Sequence, residues 1–425
     1  MVKDNSVAPA AVLGWGVVIA AGVLGIPFFD PKTRPILFAA CTALAGIAYL
    51  RSLRLLDRVA HGSDRILIWC LVLAALARIP PLLMPPTLST DVYRYVWDGR
   101  IQRLGYDPYV VVPEDKEFRQ LHTAETRLIN HPDLPTPYPA VAELFFRAVM
   151  TIDESARAMK AAIVVSDAAI VAILLLWLSA SHRRRWWVLA YAWNPLVMIE
   201  GAGNGHVDLL GVLFLVVSAG CLARGKRKIA AVTFALGVGV KFLPVILAPL
   251  LWRRIRIRDA VLGAAVLVAF YIPFLDQGRL PFGSLGNYLA YWRFNAPVFS
   301  ALELVLPAAG LIGVAPILGL GTALWARWYF ELDSPEAWAW PVAVTLLFAP
   351  TIFPWYLVWL TPFLSVSATV PLAVWTVFVF AVYWSLPAWA ATLVEFVPVL
   401  CAALWTFALH ANPSHKGFEF EKSRA

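Results

Sequence analysis

Apolar residues fill long stretches of this chain, at 9–28, 35–50, 66–84, 159–179, 186–200, 207–222, 260–275, 304–330, 337–348, 354–364, 370–386 and 388–410. At about 1.5 Å of rise per helical residue, such runs cross about 30 Å of hydrocarbon, the shorter ones with help from their flanks. The pattern predicts an all-α polytopic membrane protein of about twelve transmembrane helices. The first run has little charge before it and no small-residue cleavage site after it, so it reads as a retained helix and not a signal peptide.

Basic residues between the runs set the orientation. Arg51, Arg54, Arg58 and Arg65, then Arg183, Arg184 and Arg185, then Arg224, Lys226, Arg227 and Lys228 all fall on one side. By the positive-inside rule that side is the cytoplasm, with both termini in it. One segment resists the alternation: a single crossing at 229–251 would carry Arg253, Arg254, Arg256 and Arg258 outside. Gly237, Gly239, Lys241, Pro244 and Pro249 interrupt this stretch, which therefore reads as a re-entrant hairpin of two half-helices; fourteen crossings in all is the alternative, with the same sidedness downstream. The whole of 1–425 is one membrane domain with an external loop at 85–158, the hairpin at 229–251 and a cytoplasmic tail at 411–425. The outer face then gathers that loop, the turn 200–206, the loop 276–297, the turn 349–355 and the turn near Pro387.

Composition agrees: 60% hydrophobic and 15% charged residues with 19 Trp lie outside the soluble globular range. The net charge of +8 is spread between apolar runs, a topology signal and not a nucleic-acid patch. Cys41, Cys70, Cys221 and Cys401 all sit in apolar runs without metal-ligand spacing, which argues against a disulfide framework or a zinc site.

The chemistry concentrates in the first outer loop. Ser89 or Thr90 can cap a helix running to Gly105, on which Asp91, Arg94, Tyr95 and Asp98 share a face. A carboxylate at a helix N-terminus just outside the membrane stays ionised and can accept a proton from a sugar hydroxyl, which points to Asp91 as a general base, with Asp98 its rival. The alternative for both is structural, Asp91 complementing the helix dipole and Asp98 pairing with an arginine. The proline-rich string from Ile129 to Ala140 must be an ordered or extended turn. It launches an amphipathic stretch, 141–150, suited to the membrane interface, where Glu143 is either a solvated surface acid or a substrate contact.

The string Asp91-Val92-Tyr93-Arg94-Tyr95-Val96-Trp97-Asp98-Gly99-Arg100, then Gly105-Tyr106-Asp107-Pro108-Tyr109, Tyr138-Pro139-Ala140, Trp193-Asn194-Pro195, Gly205-His206-Val207-Asp208, Lys241-Phe242-Leu243-Pro244 and Phe353-Pro354-Trp355-Tyr356, resembles the bacterial GT-C glycosyltransferases related to polyprenol-phosphomannose-dependent mannosyltransferases. The resemblance spans about 87–363. It implies a GT-C-like fold and a catalytic base in the first large external loop, here Asp91. It also implies a polyprenyl-phosphate-linked sugar donor, mannose by resemblance, and inversion at the anomeric carbon. The acceptor would be a glycan or glycolipid at the outer face of a bacterial inner membrane. Two departures stand out: three helices precede the acidic loop where the simplest relatives have one, and Ala140 replaces a proline common among relatives.

Such chemistry needs cations for the departing phosphate. Lys241 is the first candidate, since a lysine at mid-membrane costs about 2.5–3.5 kcal/mol and so points to function, snorkelling being the alternative. Arg293 is the second, with an interfacial anchor as its alternative. Glu200, Asn204, His206 and Asp208 read as substrate contacts; the two-residue spacing of His206 and Asp208 is a weak metal signal, so no cofactor is expected while a divalent ion stays open. Trp355 and Tyr356 fit either sugar stacking or the aromatic belt. No Walker-type loop is present, and the glycines at 201–205 join two membrane helices on the wrong side of the membrane for a cytoplasmic nucleotide. The competing classes are a transporter or flippase of lipid-linked saccharides, and a ligase using a diphosphate-linked donor; the large acidic outer loop favours catalysis.

Overall fold

The structure, a computed structural model, describes residues 7–59, 64–275, 280–331, 333–364 and 368–411. Residues 276–279 of the predicted outer loop and 412–425 of the predicted tail lie outside the described residues. Those described form helices and turns with no strand, apart from two isolated bridges, Val7 with Val59 and Phe294 with Thr351. Among the described residues six helices are long and apolar enough to cross a membrane: Pro9–Phe28, Pro35–Leu56, Asp64–Leu83, Ala156–Ala180, Ile257–Phe274 and Ala388–Leu409. The chain is an all-helical membrane protein. In the most peripheral of the six only 11% of the apolar window is buried, as expected of a helix that turns most of its surface to lipid.

The first three helices, α1 (Pro9–Gly25), α2 (Pro35–Leu56) and α3 (Asp64–Leu83), precede the acidic loop. Pro80 and Pro81 remove two amide donors from the last turns of α3. Lys160 Nζ from α6 (Ala156–Ala180) occupies the carbonyls left at that end, donating to Pro81 O (2.7 Å) and Met84 O (2.6 Å). Deeper in the bundle Arg78 Nε pairs with Asp167 Oδ2 of α6 at 2.5 Å, both side chains buried. Between α3 and α6 lies the loop, which is itself folded. Its helices α4 (Asp91–Arg103) and α5 (Ala140–Ile152) cross so closely at Gly99 that a Cβ there would stand 2.6 Å from Phe146 O. The predicted helix therefore forms, two residues short of Gly105. Its predicted cap does not: Ser89 Oγ accepts the N–H of Asp91 itself, and Thr90 makes no side-chain cap.

After α6 the chain departs from regular helix where the sequence promised a plain crossing. Residues 186–203 pass through α7 (Val188–Ala192), α8 (Pro195–Val197) and a π-helical stretch, Met198–Gly203. Asn194 explains the break: its Oδ1 caps α8, and its Nδ2 donates to Tyr49 Oη (3.1 Å) and Thr376 Oγ1 (3.0 Å), so the Trp193-Asn194-Pro195 motif is a structural knot in the bundle. The turn that follows needs Gly205, whose φ is +74° and whose Cβ would meet Lys160 Cγ at 2.7 Å.

Helix α9 (Asp208–Ala223) then packs along α10 (Arg227–Val240). At Lys241 the backbone turns extended, and the chain continues as a 3-10 turn, Leu243–Leu247, and α11 (Ala248–Leu251). Lys241 meets Asp208 at the head of α9, while Arg254 shares a surface recess with Ala223 at its foot. Helix α12 (Ile257–Tyr271) follows, then the short α13 (Leu285–Tyr291), α14 (Pro297–Glu303) and α15 (Ala308–Leu311), and α16 (Val314–Tyr329). The apolar run 304–330 is thus split, at Pro307 and Gly313. Helix α17 (Pro335–Leu347), 3-10 turns at Pro354–Trp359 and Thr361–Phe363, α18 (Val370–Phe378) and α19 (Ala388–Ala411) complete the described residues.

Candidate active site

The acidic loop roofs a cavity of about 790 Å³, within the range of about 300–1,000 Å³ usual for small-molecule sites. Five stretches distant in sequence meet there: the head of α4, the proline-rich string, the break at Lys241, α13, and the turn 349–356. Two further contributions come from the α1–α2 connection, through Pro31 and Lys32, and from the segment after α18, through Tyr383 and Ser385. Ser385 Oγ donates to Pro31 O (2.7 Å) and ties these two together, so the connection between α1 and α2 helps to wall the site.

Of the residues expected from sequence, Asp91, Arg94, Tyr138, Lys241, Trp355 and Tyr356 line this cavity. Asp91 retains a 14% exposed side chain, and Asn130 Nδ2 donates to its Oδ1 at 2.7 Å. Asn130 was not singled out in sequence, although an amide in an immobile proline-rich strap is a natural partner for an acid. That strap is ordered, as expected: Leu134 O accepts from Arg94 Nη1 (2.9 Å) and Pro135 O from Ser284 Oγ (2.8 Å).

Asp98 does not line the cavity. It is fully buried, with Arg94 Nε 3.0 Å from both carboxylate oxygens. Glu143 is likewise fully buried and does not line the cavity, which corrects the expectation of a solvated surface acid. Its Oε1 accepts from Thr136 Oγ1 (2.6 Å) and its Oε2 from Gln102 Nε2 (2.8 Å). Burial, with the charge of Asp98 adding, holds the Glu143 carboxyl well above the ordinary range. The reason the sequence misplaces it is that α5 is covered on its polar side by α4.

Tyr95 sits beneath Tyr138 with the rings edge to face, 5.1 Å apart. Burial first, then the charge of Asp91, holds both phenols well above their usual range, so they remain neutral donors. Lys241 Nζ donates to Asp208 Oδ1 (2.7 Å) and lies 4.0 Å over the Tyr356 ring. Asp208 Oδ1 also accepts from Trp359 Nε1 (2.7 Å), a residue the sequence analysis passed over. Asp208, Glu200, Asn204 and His206 form a buried layer that does not line the cavity: Asn204 Nδ2 donates to Glu200 Oε2 (2.9 Å), and the His206 ring stacks on Trp355 at 4.0 Å. Arg293 is not at the cavity either; its Nε donates to Glu303 Oε1 at 3.0 Å. Among the described residues no group of three or more His, Cys, Asp or Glu is placed to hold a metal ion, and Cys41, Cys70, Cys221 and Cys401 are all unpaired.

Fold and site together define a polytopic membrane protein with a deep, aromatic-walled cavity holding an ionisable acid and a cation, a construction suited to group transfer at a membrane surface. The chain belongs to the family described as "Alpha-(1->6)-mannopyranosyltransferase, N-terminal domain", whose pattern it matches over residues 6–255, more than half its length. It is similar to Alpha-(1->6)-mannopyranosyltransferase A of Mycobacterium tuberculosis, at 24% identity over 405 residues that cover 80% of this chain and 74% of that protein. No solved structure matches. The family sets the chain among the mannosyltransferases.

Proposed function

We propose that this protein transfers mannose from a polyprenyl-phosphate donor to a glycan or glycolipid acceptor, with inversion, on the outer face of a bacterial inner membrane. The mycobacterial relative's name supports an α-(1→6) linkage. The observation that carries the reading is Asp91: an acid at the head of α4, facing a 790 Å³ cavity, held on one oxygen by Asn130 and flanked in the cavity lining by Arg94 and Lys241. Asp91 would take the proton of the acceptor hydroxyl as its oxygen attacks the anomeric carbon. The C–O bond to phosphate breaks on the opposite face, and its electron pair leaves with the phosphate, stabilised by Lys241. Purified protein given polyprenyl-phosphate mannose and a panel of glycan or glycolipid acceptors should yield mannosylated product. Donor translocation without transfer would overturn the reading, and use of a diphosphate-linked donor alone would replace its leaving group.

Topology belongs to the same proposal. Twelve crossings and one re-entrant hairpin, 229–251, would put the acidic loop, Lys241 and Trp355 on one face and the Arg-rich turns on the other. The nearness of Arg254 and Ala223, together with that of Lys241 and Asp208, supports a segment that returns to the side it left. A cysteine probe at Arg254→Cys in sealed cells should stay unlabelled by an impermeant maleimide until the membrane is opened. Labelling from outside would mean that the segment spans.

A further inference from the structure

Behind Asp91 lies a histidine with an unusual setting. His206 is fully buried and neither ring nitrogen has a hydrogen-bond partner, yet carboxylates stand at both ends of the ring. Asp91 Oδ2 is 3.7 Å from Nδ1, and Glu200 Oε2 is 3.3 Å from Nε2. The geometry points to His206 as a positioning residue that takes over the proton Asp91 abstracts, an inference that rests on Asp91 being the base.

A neutral imidazole carries one N–H and one lone pair. With the hydrogen on Nε2, that N–H lies beside Glu200 Oε2 without being aligned for a hydrogen bond, and Nδ1 carries its lone pair on the side of Asp91 Oδ2. Two acceptors then oppose each other, and 3.7 Å is a separation that suits them and is too long for a hydrogen bond. Once Oδ2 receives the acceptor's proton it becomes a donor, and the mismatch disappears. The proton can pass to Nδ1, which leaves Asp91 ionised and His206 an imidazolium between two carboxylates until the proton returns through Asp91 Oδ2 to water in the cavity before the next turnover. No other bond changes in this step.

The surroundings hold each group for that role. Trp355 stacks on the ring at an interplanar angle of 13°, fixing its orientation from an uncharged side and separating it from the cavity. Glu200 is kept in place by Asn204 Nδ2 on Oε2 (2.9 Å) and by Tyr383 Oη on Oε1 (3.0 Å), and it sits in a π-helical stretch of the kind that often marks a functional position. Lys160 passes close to Gly205, but its ammonium is committed to the carbonyls of Pro81 and Met84. The titratable groups facing the imidazole are therefore Asp91 and Glu200, with Tyr383 behind the latter.

The test compares His206→Phe, His206→Ala and Asp91→Asn in the mannosyl-transfer assay. His206→Phe keeps the stacking surface, so we expect kcat to fall roughly 10–100-fold while KM for the donor stays within about threefold. On an Asp91→Asn background the same change should cost less than about threefold, because the two groups act in series. Imidazole added to His206→Ala should restore transfer, and pyrazole, of the same size and far less basic, should not. Full activity in a folded His206→Phe protein, or equal rescue by both heterocycles, would overturn the inference and leave the base assignment standing. Full activity in Asp91→Asn would remove the base itself, and the relay with it.

Discussion

Replacing Asp91 by Asn should lower mannosyl transfer by about 100-fold or more while the protein still folds and binds donor. The substitution is conservative in every respect except proton affinity. Oδ1, which accepts from Asn130, has a counterpart in the amide oxygen, and the loss at the head of α4 is confined to a helix-dipole contribution of about 0.3–1 kcal/mol. Asp98→Asn is the instructive contrast. Its carboxylate is fully buried against Arg94, and breaking a buried pair from one side costs about 3–5 kcal/mol, so this variant should lose folded protein before it loses chemistry. The measurement is initial transfer rate per folded protein, with thermal midpoint in detergent alongside. A folded Asp98→Asn protein without activity, beside an active Asp91→Asn protein, would move the base to Asp98.

How far the sequence reached follows from which physical signals are local. Apolar runs and positive-inside charge are local properties, so the helical membrane architecture could be read directly, as could the break at Lys241 with its neighbouring glycines and prolines. The fate of a polar side chain depends on what lies across from it, and that is set by long-range packing. Asp98 and Glu143 lie on helices that cross at Gly99, and nothing beside either of them in sequence marks it as buried; only the crossing places them together. His206 and Asp208 were read as substrate contacts because they stand at an outer turn, whereas Trp355 and Lys241 lie between them and the cavity. Asn130, Trp359 and Lys160 went unnoticed for the same reason. A lysine one turn into α6 has no sequence partner that would reveal the doubled proline of α3 as its target.

Lys241 shows how the packing changes an expectation as well as a location. Taken from sequence, a cation kept only for its charge would be replaceable by Met without harm to folding. In the structure its ammonium neutralises Asp208, which is 1% exposed, by donating to Oδ1, while Asp208 Oδ2 has no hydrogen-bond partner. Lys241→Met should therefore destabilise the protein by about 3–5 kcal/mol, the cost of stranding a buried carboxylate, with only the Trp359 indole left on Oδ1. Adding Asp208→Leu removes the stranded charge and should recover most of that loss, since a buried pair replaced by apolar groups is often neutral in stability. Donor binding separates the two roles. If Lys241 also holds the phosphate, as proposed, the double variant will fold with a thermal midpoint near that of the parent and still bind polyprenyl-phosphate mannose at least about tenfold more weakly, the loss of one charge-assisted contact of about 1.5–3 kcal/mol. A double variant that folds and binds donor as the parent does would reduce Lys241 to the counter-ion of Asp208 and assign the phosphate to Arg94, whose Nη2 is buried without a partner beside the same cavity.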